Sequence, residues 1–222
     1  MFIDRKFRLA RIWSNNELKK VAHIFAGKII NVSAWDDRDK QGDYYCNYFT
    51  NATDFYYSNY YGDRGIQNKE NEIFIDLTKE LPVKLQSKFD VVFNHTTLEH
   101  IFDVRMAFKN LCDMTKDVVI IIVPFAQVQH ECESYKDYWR FTPSCLREMF
   151  KKNGLMVIYE KESNPRNASI YLFFIASRFP KRWQKLIPKY EHIKEAGSWL
   201  GEKNILLRNN ILDIFKFKKI NK

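Results

Sequence analysis

Apolar residues recur along this chain in two rhythms. Leu18, Val21, Ala22 and Phe25 fall at i, i+3, i+4 and i+7, the spacing of one helix face. Ser14-Asn15-Asn16-Glu17 just ahead of them has the form of a capping box, and Gly27 supplies a stop. The pattern predicts a lead-in helix within residues 1–27. A short β-branched strand follows at Ile29–Ser33, and further strands are predicted at Asp54–Ser58, Glu72–Leu77, Phe89–Asn94, Val118–Val123, Leu155–Glu160 and Ile170–Ser177. Phe89–Asn94 and Val118–Val123 are continuous apolar runs, the pattern of strands covered on both faces of a parallel sheet. Between them Val104, Ala107, Phe108 and Leu111 repeat at helical spacing. Farther on, Thr142 is placed to cap a helix, Pro143 suits its first position, Leu146, Met149 and Phe150 form the stripe, and Gly154 ends it. Strands alternating with helices argue for an α/β sheet with right-handed crossovers.

Composition narrows the class. Hydrophobic residues make up 45% of the 222 and aromatics 16%, enough for a substantial core. The longest apolar run, Val118–Ala126, is too short to span a bilayer, and the N-terminus lacks the apolar segment of a secretory signal. Cys46, Cys112, Cys132 and Cys145 are scattered without CxxC spacing, so neither a zinc site nor a disulfide framework is indicated. A reduced, cytoplasmic protein is expected. The net charge of +9 sits mostly in residues 181–222, which hold 11 Lys/Arg against 4 Asp/Glu. The division expected is a lead-in helix over 1–27, a domain over 28–180 and a basic, helical extension over 181–222. In that extension Trp183, Leu186, Ile187 and Tyr190, then Ile205–Phe217, are apolar stripes. They serve docking onto the domain or a second copy, or peripheral contact with an anionic membrane. Charge alone speaks for nucleic acid, and no RNA-binding module is visible, so nucleic acid is not the expected partner. The oligomeric state is not legible.

In open α/β sheets ligands bind beyond the carboxyl ends of the strands. Segment 43–61 follows the first strand and holds seven tyrosines, which either stack on a ligand or plug the core. At the end of the first strand itself, Ser33, Ala34 and Trp35 stand where a nucleotide-binding turn carries glycines.

From Phe89 the chain reads FDVVFNHTTLEHIFDVRMAFKNLCDMTKDVVIIIVPF. This resembles the class I S-adenosylmethionine-dependent methyltransferases, the group with an F-D-V-V…L-E-H-[IV] signature over the fourth strand, loop, helix and fifth strand. DYWRFTPSCLREMFKKNGLMVIYEK, Asp137 to Lys161, is similar to that group's D-Y-[YW]-R-F-[ST] stretch and the helix and strand after it. The likeness runs from about Gly27 to Ser177. It implies a Rossmann-like methyltransferase sheet, mostly parallel with helices on both faces, and S-adenosylmethionine as cofactor. It places Asp76 against the adenine amino group, Leu77 against the ring, and His95 and Thr96 along the cofactor. Glu99 and His100 are expected to orient their loop by hydrogen bonds. Two positions depart from the family pattern. Asn59 replaces the acid that grips the ribose hydroxyls, leaving an amide that accepts one of them, and Ser33-Ala34-Trp35 replaces the glycines. Asp36 and Asp37 either attract the cofactor's ammonium or are solvated.

The acceptor side is expected in the loop after the fifth strand. His130 is the candidate base, since imidazole titrates near neutrality. Asp137 and Arg140 pair to brace that loop, and Tyr138 and Trp139 line an acceptor pocket or pack beneath it. No metal cluster is visible. The sequence therefore leads to a methyltransferase acting on a small-molecule or sugar-containing acceptor. The alternative is an inactive binding or regulatory protein on the same fold.

Overall fold

The computed structural model describes residues 8–62, 65–163 and 169–198. Helix α1 (Leu9–Lys19) precedes strands β1 (Ala26–Val32), β2 (Asn51–Asn59), β3 (Glu72–Phe74) and β4 (Phe89–His95). Helix α2 (Val104–Met114) then leads to β5 (Thr115–Ala126), helix α3 (Pro143–Lys152), β6 (Met156–Glu162), β7 (Ile170–Ser177) and the short α4 (Pro180–Trp183). The strands form one sheet in the order β3-β2-β1-β4-β5-β7-β6. All neighbours are parallel except β7, which runs antiparallel to both β5 and β6.

Strand alternation divides the apolar runs between two cores. Ile30, Val92, Val119 and Ile121 face one side, where Ala107, Phe108 and Leu111 of α2 and Leu146 and Phe150 of α3 cover them. Ile29, Val91, Phe93, Val118, Ile120 and Ile122 face the other, under Leu18, Val21, Phe25, Tyr45, Tyr48 and Trp183. The chain between β1 and β2 contains no α-helix. A loop and a single 3₁₀ turn, Tyr45–Tyr48, make the crossover, and the buried rings of Tyr45, Tyr48 and Phe49 fill the layer. For these three rings the core reading of the tyrosine-rich segment holds, while Tyr60 and Tyr61 are exposed.

Local chemistry explains where the helices stop and start. Thr142 accepts from the Cys145 N–H with Pro143 in the first turn, as the sequence suggests, and Gly154 takes a left-handed φ of 72°. The capping box at Ser14 is a correction. Ser14 lies inside α1, which begins at Leu9 behind a left-handed Arg8, and its hydroxyl donates to the Arg11 carbonyl. Glu17 does not reach back to a cap either. It accepts from Tyr159 of β6 and from Lys20 and Lys161. Tertiary partners have taken the residues that the local pattern assigned to a helix start. The α-helix ends at Lys19, and Ala22–Ile24 continues as a 3₁₀ turn that buries Ala22 beside Val21 and Phe25.

Trp183 and Ile187 are buried against the second core, and the Trp183 indole donates to Asp117. The first apolar stripe of the extension thus docks on the domain. The second, Ile205–Phe217, lies outside the described residues. Among the described residues no helix is long and apolar enough to cross a membrane.

Candidate functional site

A cavity of about 580 Å³ opens at the carboxyl ends of β1 to β4, a size ordinary for small-molecule sites. Ser33, Ala34, Trp35, Asn59, Asp76, Leu77, His95 and His130, the residues singled out in the sequence, all line it. So do Arg11, Glu99 and His100.

The turn after β1 has the backbone of a glycine loop without the glycines. Ser33, Trp35, Asp37 and Lys40 have φ values of 60°, 49°, 64° and 68°, in the left-handed region that side chains disfavour. Surrounding bonds hold them there. The Ala34 N–H donates to the Ser58 carbonyl at 3.0 Å and the Asp37 N–H to the Ala34 carbonyl at 2.8 Å. The Asn59 Oδ1 accepts from the Trp35 N–H at 2.6 Å, while its Nδ2 donates to the Trp35 carbonyl at 3.1 Å and to Glu72 at 2.6 Å. Asn59 is therefore engaged at both ends of its amide. It clamps the turn after β1, and its Oδ1 accepts only this one bond from Trp35 among the described residues. Asp37 is a correction: it is buried, accepting from Asn31 Nδ2 at 2.6 Å and the Cys46 N–H at 3.0 Å. Asp36 stays at the cavity wall, 3.4 Å from Arg38 and 3.5 Å from Lys40. The Trp35 indole forms part of the wall, with the Lys40 ammonium 3.9 Å from its ring centre.

Beyond β3, Asp76 Oδ1 accepts from the Thr78 N–H and hydroxyl at 2.9 and 2.7 Å. Its second oxygen has no hydrogen-bond partner among the described residues, and Leu77 beside it is buried. At the end of β4, His95 is buried, and both its ring nitrogens are engaged: Nε2 with Ser14 Oγ at 2.9 Å and Nδ1 with Thr96 Oγ1 at 3.1 Å. Burial, reinforced by the Arg11 charge, holds its pKa well below the ordinary imidazole value. Thr96 is left-handed at φ 49°, an outlier for a β-branched residue, and is pinned by its N–H to the Ile122 carbonyl. The Arg11 guanidinium donates to Thr96 Oγ1 at 2.8 Å and to the Tyr45 hydroxyl at 3.1 Å.

The loops after β4 and β5 are joined. Tyr138 and Trp139 donate their N–H groups to the Glu99 carbonyl, and the Trp139 indole donates to the Ile101 carbonyl at 2.9 Å. Arg140 forks onto Asp137 at 2.6 and 2.7 Å, the brace expected from the sequence. Burial alone would raise the Asp137 carboxyl, but the Arg140 guanidinium and the His130 N–H hold it down at about 2. Tyr138 lines the cavity; Trp139 is spent on the loop. His130 Nδ1 lies 2.8 Å from Gln127 Nε2 and 3.4 Å from Asp137 Oδ2.

Two groups were missed or misread. Arg11 carries no motif; only its place three residues before Ser14 and seven before Leu18 puts it on the buried face of α1. The Glu99 carboxyl does not orient its loop. It is buried, and neither oxygen has a hydrogen-bond partner among the described residues. Burial pushes it up to about 8. His100 does orient the loop, since its Nδ1 faces the Lys136 carbonyl at 2.6 Å.

No protein-family model matches this sequence, and no curated protein matches it significantly. Among solved structures, the chain is similar to the 1,6-didemethyltoxoflavin-N1-methyltransferase of Burkholderia thailandensis, crystallised with 1,6-didemethyltoxoflavin and S-adenosylhomocysteine. The TM-score is 0.55 at 12% identity, over 75% of this chain and 80% of that one. It is also similar to a proposed sarcosine dimethylglycine methyltransferase of Galdieria sulphuraria (0.52, 11%, 76% and 84%). A third is a proposed methyltransferase of Bacillus halodurans (0.52, 8%, 73% and 97%). The fold is that of the class I S-adenosylmethionine-dependent methyltransferases.

Proposed function

We propose that this protein is a methyltransferase that binds S-adenosylmethionine in the cavity and methylates a small molecule. One observation carries the reading. In a sheet of this order, the cavity lies between a left-handed turn after β1 and a carboxylate after β3 with one oxygen uncommitted. The site has the parts such a cofactor needs: an acceptor for the adenine amino group at Asp76, an apolar wall at Leu77, and the main chain of Ser33 and Ala34 for its centre. Arg11, beside His95 and Thr96, supplies positive charge for a carboxylate. When bound, the cofactor supplies a methyl group already activated on a sulfonium, so the protein's task is binding, alignment and exclusion of water. His130 and His100 provide imidazoles on the acceptor side. The acceptor class draws support from the cavity's size and from the small-molecule ligand of the Burkholderia neighbour. A sugar-containing compound belongs to the same class.

A second reading, a binding or regulatory protein without methyl transfer, draws on Asn59. Its engaged amide leaves the end of β2 without an acid for the ribose hydroxyls. Calorimetric titration with S-adenosylmethionine and S-adenosylhomocysteine tests both. The methyltransferase reading requires binding, and no heat up to millimolar ligand sinks it. Asp76→Ala is expected to weaken binding about tenfold, the loss of roughly 1.4 kcal/mol from one charge-assisted hydrogen bond. An unchanged affinity would remove Asp76 from the adenine site.

A further inference from the structure

Glu99 is the one residue among those described whose carboxyl is buried at the cavity with both oxygens lacking hydrogen bonds. Leaving such a group unpaired is costly, so its retention calls for a use. The groups facing it are Arg11 from α1, Arg140 and Asp137 from the loop after β5, and His100 at its side. Arg140 is already paired with Asp137, and Arg11 with Tyr45 and Thr96, so neither forms a salt bridge with Glu99. At neutral pH the carboxyl is mostly protonated and is a donor as well as an acceptor.

Its neighbour is its complement. A carbonyl only accepts, so His100 Nδ1 must carry the hydrogen that meets the Lys136 carbonyl. The Nε2 lone pair is left toward the cavity, 3.8 Å from Glu99 Oε1, too far for a hydrogen bond between them. Burial and the nearby His130 keep this imidazole neutral by lowering its pKa. A donor and a lone pair thus stand side by side. The rings of His130 and Tyr135 lie 4.9 and 4.6 Å from the His100 ring, and exposed Phe102 and Tyr138 stand edge-to-face at 5.3 Å on the same wall.

We propose that Glu99 and His100 are the recognition pair for the methyl acceptor, a flat aromatic compound carrying an O–H or ring N–H beside a second oxygen. Glu99 donates to that oxygen, and His100 Nε2 accepts the O–H or N–H. The proposal rests on the methyltransferase reading and specifies its acceptor. In the displacement the acceptor heteroatom forms the bond to the methyl carbon, and the methyl–sulfur bond leaves its electron pair on sulfur. The acceptor's proton passes to Nε2. His100 rather than His130 takes this place because the Gln127 amide Nε2 only donates, so in the neutral His130 ring Nδ1 is the acceptor and Nε2 carries the hydrogen, with no lone pair to offer.

The test uses the full chain and 2-hydroxyacetophenone, a phenol with an adjacent carbonyl. S-adenosylhomocysteine is titrated first into the wild type, Glu99→Gln, Glu99→Ala and His100→Asn. All four are expected to bind it within about twofold, which also shows that the variants fold. If the wild type does not bind it, the methyltransferase reading falls and the acceptor pair with it. The phenol is then titrated into the saturated proteins. Wild-type affinity should fall about tenfold between roughly pH 7 and 9, as the Glu99 proton is lost. Glu99→Gln should keep its affinity and lose that pH dependence, and Glu99→Ala should bind at least about tenfold more weakly. With S-adenosylmethionine and the phenol, His100→Asn should lower kcat at least about a hundredfold and also raise KM for the phenol. Three results would overturn the proposal while leaving the cofactor site intact: no phenol binding to a wild type that binds S-adenosylhomocysteine, an unchanged pH slope in Glu99→Gln, or wild-type affinity in Glu99→Ala.

Discussion

At Ser33 the side chain and the backbone disagree. A φ of 60° brings Cβ against the following carbonyl, a cost of about 1–2 kcal/mol that glycine escapes. Ser33→Gly removes that cost but adds about 0.5–1 kcal/mol of backbone entropy to the unfolded chain. The expected outcome is a melting temperature equal to the wild type's or a few degrees higher, measured by thermal denaturation; a clear drop would mean that the serine contributes more than strain. Gly27 makes the opposite case. Its φ is 91°, and a Cβ there would meet the Asp90 carboxylate, so Gly27→Ala should destabilise the protein. The sequence reveals that glycines are absent from the turn, because that is a matter of identity. It does not reveal that the backbone keeps a glycine's shape, because Asn59, Ser58 and Glu72, which hold it there, come from other strands. Glu99 was opaque for the same reason: lacking a hydrogen bond is a property of surroundings.

Whole elements follow a similar division. The Thr142–Gly154 helix was readable because its cap, its proline and its stop are neighbours in sequence. Ile170–Ser177 was readable as a strand because its apolar run is continuous. The crossover between β1 and β2 was not, since buried tyrosines do there what a helix does elsewhere. The loop after β5 carries its own test. Asp137 ionises at about 2 in the folded protein against an ordinary 3.8, so its stabilisation is present above pH 3.8 and lost as the pH falls toward 2. Asp137→Asn should cost about 2 kcal/mol at neutral pH and nothing below about pH 2, as read from denaturant melts at both. Equal destabilisation at both pH values would assign the effect to packing. The same variant frees Arg140 from its fork and loosens the wall formed by His130 and Tyr138.

For the molecule as a whole, buried acids set opposing slopes of stability with pH. Glu99 is raised to about 8, so the unfolded chain ionises it from about pH 4.5 upward while the folded one resists. The stability this carboxyl contributes therefore falls between about pH 4.5 and 8. Asp37 and Glu162, both raised by burial, push the same way. Asp137 acts only on the acid side, together with Asp39 and Glu72, which hydrogen bonds lower against the pull of burial. His95 and His100, whose pKa values burial lowers, work against the Glu99 decline up to about pH 6.5, so the melting temperature should fall most clearly between about pH 6.5 and 8. Glu99→Gln should flatten that fall, raising stability at about pH 8 by several kcal/mol; a variant curve parallel to the wild type's would mean that the carboxyl is better solvated than its burial implies.

The bond between Glu17 and Tyr159 joins residues 142 apart, and α1 packs on β7 near the other end of the fold. During synthesis α1 is made well before β6 and β7, the strands that form its docking surface. Arg11 reaches the cavity, and Ser14 reaches His95 behind it, only with α1, so a chain halted before β6 has strands and turns but no finished site. Long-range closure of this kind is slow compared with local helix formation. Ligand binding should therefore appear late in refolding, with the final rise in protection of β6 and β7, and should serve as a gauge of completed assembly.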